Sequence, residues 1–235
     1  MDIDVLYRPV NSVARVRLQT GERIVAEPSA MIGMSTSVSM TTGMRGSSQG
    51  NGGGLLGKIA GAAKSMLAGE SFFTNTFTAN SPGEVLLAPA LSGDIIVEEL
   101  PQRGITMQSG AYVANTPGVD IQTKIGGGVT FFGGEGMFVL KATPSAPGQK
   151  VVIASFGGIE EMQVDGSMVV DNGHLVAWDS GLDLSLHKAA TGWIGSFLSG
   201  EGKVFHINGQ GRVWIQTRQP IGFGRAIASL LPPRQ

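Results

Sequence analysis

The sequence predicts an all-β protein made of three tandem β-sandwich repeats around a pseudo-threefold axis. Three observations carry that expectation. Short apolar runs alternate with polar residues at a period of two, the spacing of a strand with one buried face. Glycine, 36 of 235 residues, stands at about 15%, roughly twice the usual ~7%, and recurs between the runs as turns require. The same sequence of blocks also occurs three times in the same order, which is the signature of an internal repeat.

The blocks are MLAGESFF (66–73), FFGGEGMF (131–138) and FLSGEGKV (197–204). Their glutamates, Glu70, Glu135 and Glu201, are 65 and 66 positions apart. Each block runs into a strand, a polar Gly turn and a second strand, which reads as a hairpin. Each is preceded by a stretch read as two strands around a turn: RIVAEPSAMIGMSTSVSM, AYVANTPGVDIQTKI and HLVAWDSGLDLSLHK. Alternation is clearest where Val119, Ile121 and Thr123 interleave with Asp120, Gln122 and Lys124, and where Leu182, Leu184 and Leu186 interleave with Asp183, Ser185 and His187. The chain is expected to form one compact unit, with repeats over roughly 10–90, 91–157 and 158–220 and a C-terminal tail over 221–235. A single such unit buries too little, so the copies must share a core.

The first copy is longer. Aligning Ala26 with Ala114 and Ala177 gives it an excess of about 20 residues, beyond ordinary loop length, placed over 44–68. MRGSSQGNGGG reads as flexible linker. LLGKIAGAAKSML has helical spacing, with Leu55, Leu56, Ile59, Ala63, Met66 and Leu67 on one face and Lys58 and Lys64 away from it. Folding back over its own sandwich is the first reading of this helix. Contact with a protein partner or a membrane surface is the second, and Leu55, Leu56, Lys58, Ile59, Lys64, Met66 and Leu67 are the residues that would make it.

Composition narrows the function classes. The absence of cysteine excludes disulfides, thiolate nucleophiles and cysteine metal sites. Seventeen basic against eighteen acidic residues provide no general field to draw in nucleic acid or an anionic membrane. No signal peptide and no spanning helix are read, so the expected location is cytoplasmic, with peripheral contact at the inner membrane as an extension.

Catalytic motifs are weak. Gly52–Lys58 spells GGGLLGK, but Ile59 stands where a phosphate loop places Ser or Thr, and no strand precedes it. His174, His187 and His206 all lie in the third copy and could hold a metal as cupin-type barrels do, yet no close His-x-His pair with an acidic partner exists. Glu98-Glu99 and Glu160-Glu161 are neighbours on strands, so each pair points to opposite faces. The three Gly-Glu pairs read as turns first and as a ring of charge second. The expectation is therefore no catalytic, cofactor or metal site.

Three runs, GGGLLGKIAGAAKSMLAGESFFTNTFTA, LLAPALSGDI and LVAWDSGLDL, resemble the altered inheritance of mitochondria protein 24 family, long treated as a domain of unknown function. The likeness spans about residues 1–220, and GESFFTNTFTA (69–79) is its most specific part. The resemblance implies a fold related to the tryptophan RNA-binding attenuator protein. It implies no catalytic residue. Without a transit peptide the chain is expected to be a bacterial member. RNA binding does not follow from fold alone, since Lys and Arg form no repeated pair here. The expected function is a non-enzymatic binding or scaffold protein with a protein partner or self-association. A cupin-like metal- or small-molecule-dependent enzyme and an RNA-binding β ring are the alternatives.

Overall fold

The structure, a computed structural model, describes residues 1–45, 72–124, 139–188 and 203–231. Glu70, Glu135, Glu201 and the seven contact residues between Leu55 and Leu67 lie outside the described residues, as does the expected helical insertion.

The described chain is almost entirely β. Its first stretch holds β1 (Asp2–Leu6), β2 (Val13–Leu18), β3 (Arg23–Ala26), β4 (Met31–Met34), β5 (Val38–Arg45), β6 (Phe72–Ala79) and β7 (Gly83–Leu87). The middle holds β8 (Ile95–Glu99), β9 (Ile105–Gln108), β10 (Tyr112–Asn115), β11 (Val119–Lys124), β12 (Val139–Pro144) and β13 (Lys150–Ala154). The last holds β14 (Ile159–Asp171), β15 (Leu175–Asp179), β16 (Asp183–Lys188), β17 (Lys203–Gln216) and one helix, α1 (Pro220–Ala228). What was expected as a plain tail over 221–235 thus begins as a helix. Pro220 suits its first turn, where no backbone N–H is needed.

The strands form three antiparallel sheets, ordered β1-β2-β7-β4, β5-β6-β3-β10-β13-β8 and β11-β12-β9-β15-β17-β14, with β16 also on β17. β2 lies against β7, β3 against β6, β4 against β7 and β5 against β6. β8 lies against β13, β9 against β12, β10 against β13 and β11 against β12. In the last stretch β14 and β17 are long enough to pair over thirteen positions, and Gly166 faces Gly209 one position past the middle. Both glycines have positive φ, 96° and 124°, which other residues avoid. They let each ribbon turn midway without breaking the ladder.

Burial follows the alternation read from sequence. Val119 and Ile121 are buried, whereas Asp120 and Gln122 are exposed. Three apolar clusters result. One centres on Val16, Ile24, Phe77, Val85 and Ile95, the next on Ile105, Met107, Ile121, Ile153 and Trp214, and the third on Leu175, Leu182, Phe205, Ile207 and Val213. β13 serves two of them: Val152 and Ala154 enter the first, Val151 and Ile153 the second. A strand buried on both faces has no polar phase, which explains the unbroken run VVIA.

One sequence alignment needs correction. Ala26 is not the counterpart of Ala114. The two are direct partners across the β3·β10 ladder. RIVAEPSAMIGMSTSVSM accordingly holds three strands, β3, β4 and β5, where two were expected. The residue that pairs with β7 as Ala114 pairs with β13 is Gly33. Both VA pairs are apolar and precede a turn, so composition alone could not separate them. β5 also extends to Arg45, so the expected start of the insertion at residue 44 falls inside a strand.

Candidate functional site

Besides the more exposed pairing of Arg15 and Arg17 with Asp2 and Asp4 across β1 and β2, charged side chains collect at two places. The first is Arg212 on β17. Its backbone N–H donates to Asp179 Oδ2 (2.9 Å), its Nη2 to Asp179 Oδ1 (3.2 Å) and its Nη1 to Glu98 Oε2 (2.9 Å). Glu161 Oε2 stands 3.6 Å from Nη1. The guanidinium lies 4.6 Å from the Trp214 ring centroid, in range of a cation–π contact. One cation therefore serves three carboxylates from β8, β14 and β15. Burial pushes the Glu98 carboxyl up, and Arg212 only partly offsets it. Nε, Nη1 and Nη2 each engage a carboxylate, so the cluster ties β8 to the last sheet. Glu99 turns away and accepts from the Gly148 N–H, which is the opposite-face arrangement expected of neighbours on a strand.

The second place is Asp94, a buried carboxylate just before β8. It accepts from Arg8 Nε (2.9 Å) and Nη2 (2.7 Å), from Ser12 Oγ (2.8 Å) and from the Ile95 N–H (2.8 Å). Burial works to raise its pKa, but Arg8, Ser12 and the Ile95 N–H together hold it below the usual carboxylate range. The network pins the loop after β1 onto Gly93–Ile95. This too is an anchor, with both oxygens of the Asp94 carboxylate accepting hydrogen bonds.

The three histidines do not converge. His174 holds the Gln216 carbonyl through Nδ1 at 2.7 Å, at one end of β17. His187 and His206 lie 4.4 Å apart between ring centroids, tilted 50° to each other, toward the other end. Among the described residues no three His, Cys, Asp or Glu side chains are placed to hold a metal.

The surface is more informative. α1 exposes Ile221, Phe223 and Ile227, and Leu230 and Leu231 follow it, exposed at 81% and 63%. Phe223 meets Phe156 edge-on, with ring centroids 5.1 Å apart. From Thr217 to Gln235 the sequence carries Arg218, Arg225 and Arg234 and no acidic residue. The signal was legible: Pro220 followed by Phe223, Ile227, Leu230 and Leu231 at i, i+4, i+7 and i+8 describes one helical face. No helix among the described residues is long and apolar enough to cross a membrane. A second exposed apolar set lies on edge strands, where Ile32 and Met34 of β4 and Val169 of β14 face solvent.

The family model described as Mitochondrial biogenesis AIM24 matches residues 3–218. An uncharacterized protein of Streptococcus pyogenes serotype M6 is 29% identical over 225 residues, covering 94% of this chain and 87% of that protein. A crystal structure of a Streptococcus pyogenes protein, solved by a structural-genomics consortium, superimposes with a TM-score of 0.76 at 25% identity. The match covers 98% of this chain and 99% of that one.

Proposed function

The chain belongs to the Mitochondrial biogenesis AIM24 family, and on that premise we propose a non-enzymatic role: a β scaffold that binds peripherally at an anionic membrane surface through its C-terminal helix. The observation that carries this reading is the exposed face of α1 together with the charge around it. Apolar side chains on one face and arginines without carboxylates nearby are the two requirements of an interfacial helix. Withdrawing Ile227, Leu230 and Leu231 from water contributes about 1.5–3 kcal/mol each when burial is complete. Leu55–Leu67, with Lys58 and Lys64, would be a second contact of the same chemistry.

We also propose that the scaffold comprises three like units, related in fold to the attenuator protein. The support is the recurrence of one pairing scheme. The four ladders of β2–β7 are matched by the four of β8–β13. They are matched again by the two halves of β14 and β17 with β15 and β16. A register shift falls between Met31 and Gly33, between Tyr112 and Ala114, and between Leu175 and Ala177.

Co-sedimentation with phosphatidylglycerol vesicles, against phosphatidylcholine vesicles, tests the membrane reading. The wild type is expected to pellet with the anionic vesicles, and Leu230→Asp/Leu231→Asp to stay in solution with an unchanged thermal midpoint. A wild type that ignores both vesicles, or a variant that still pellets, overturns the lipid reading in favour of a protein occupant.

A further inference from the structure

We propose that β4 and the second half of β14 are the two halves of a joint, and that a second copy of this chain supplies the missing partner of each. The proposal rests on the three-unit reading but not on membrane binding. Within the chain, successive units are joined by one kind of contact. Residues 25–26 of β3 pair with residues 114–115 of β10, Ala26 facing Ala114 and Val25 facing Asn115. Residues 105–107 of β9 pair with β15 in the same way, Met107 facing Ala177 and Thr106 facing Trp178. Each joint extends the sheet of one unit with the first-sheet strands of the next.

The ladders identify which residues would make the third joint. Across its own hairpin Val25 faces Thr76, Thr106 faces Lys141 and Val169 faces His206. Those partners face Thr41, Gln122 and Ser185 in turn. Gly33, Ala114 and Ala177 each stand eight positions before these three. Val169 and Val170 are thus the third donors of the joint, and Met34 and Gly33 its third acceptors. The two sets are not paired with each other. β4 ends the first sheet and β14 ends the last, so both edges are open among the described residues.

Exposure marks the same gap. Val25 and Thr106 are 7% and 4% exposed, whereas Val169 is 59% exposed. Val113 and Val176, buried at 1% and 0%, correspond to Ile32 at 57%. Where the joint is made these positions are covered, and where it is not they are apolar and open. Neither MIGM of β4 nor Met168–Val170 carries the charge or proline that commonly guards a free edge. An edge of one hand at each end is a heterologous contact, which closes into a ring or grows into a filament.

The test is association of the full chain, followed by light scattering and sedimentation from low to high micromolar concentration. The wild type is expected to form concentration-dependent assemblies. Val169→Lys and Met34→Lys should each weaken association about tenfold or more, the equivalent of about 1.4 kcal/mol. Both sites are exposed, so circular dichroism and melting should match the wild type. Mixing the two variants is the decisive arm. β14 of the Met34→Lys chain and β4 of the Val169→Lys chain are both intact, so the mixture should yield a one-to-one dimer that grows no further. A wild type that stays monomeric overturns the proposal. So does an assembly that neither substitution weakens, or one that both weaken but mixing does not restore.

Discussion

Replacing Arg212 with methionine isolates the charge at the centre of the cluster with Asp179, Glu98 and Glu161. Methionine keeps most of the aliphatic length, so the loss is that of the guanidinium charge, its contact with Trp214 included. The substitution leaves Asp179 and Glu98, each with side chains 20% exposed, and Glu161 at 40%, facing one another without a cation. Breaking a fully buried pair costs about 3–5 kcal/mol. Half-exposure of this cluster reduces that to about 2–3 kcal/mol. For a chain of this length the fall in Tm is about 4–12 °C. Urea unfolding followed by tryptophan fluorescence measures it, and Arg212→Met/Glu98→Gln should recover about 1 kcal/mol by removing one of the stranded charges.

The pH dependence has a definite sign. Burial already raises the Glu98 pKa above 4.5 in the folded protein, and Arg212 opposes it. Without Arg212 the folded pKa rises further. A carboxyl of raised folded pKa contributes stability below its unfolded pKa and loses it as pH rises through the folded one. The deficit of the variant is therefore greatest near neutrality and shrinks on acidification toward pH 4.5. A variant within about 0.5 kcal/mol of wild type, the usual scatter of surface substitutions, would refute the reasoning. A deficit that grows as pH falls would refute it too.

Other expectations are equally direct. Gly93→Ala places a Cβ 1.7 Å from the Ser155 carbonyl oxygen, at the parallel bridge between Gly93 and Gly157. The backbone must move, and a loss of about 2 kcal/mol or more in chemical denaturation is expected. Glu27, which burial pushes up to about 7, loses stability as pH rises from about 4.5 through 7. Glu27→Gln should flatten that slope and gain about 1–2 kcal/mol above neutrality, allowing for partial exposure. Deleting Gly52–Ser65 should leave the melting temperature nearly unchanged, because β5 and β6 pair over eight positions on their own. A deletion that unfolds the protein would assign that segment a structural role.

Much of the fold was legible because local alternation and burial coincide. β11 and β16 each have one wet face, so their period of two appears in the residues themselves. Opposite-face placement of Glu98 and Glu99 follows from the same geometry. β13 was harder, since burial on both faces erases the alternation. The error over Ala26 has a related cause: two VA pairs that look like copies are ladder partners, a relation between strands almost ninety positions apart. The helix at Pro220 has a readable pattern of apolar spacing in Phe223, Ile227, Leu230 and Leu231.

The sequence by itself determined the all-β class, the turns and the absence of thiol chemistry. Each depends on residue type and short-range spacing. Only tertiary structure decided that Arg212 meets Glu98 across 114 positions, that Asp94 anchors the loop of Arg8, and that β4 and β14 are left at the ends of their sheets. Those outcomes depend on which edges meet. Backbone hydrogen bonds are the same for every residue but proline, so the order of strands is written in long-range packing and not in any local run of side chains.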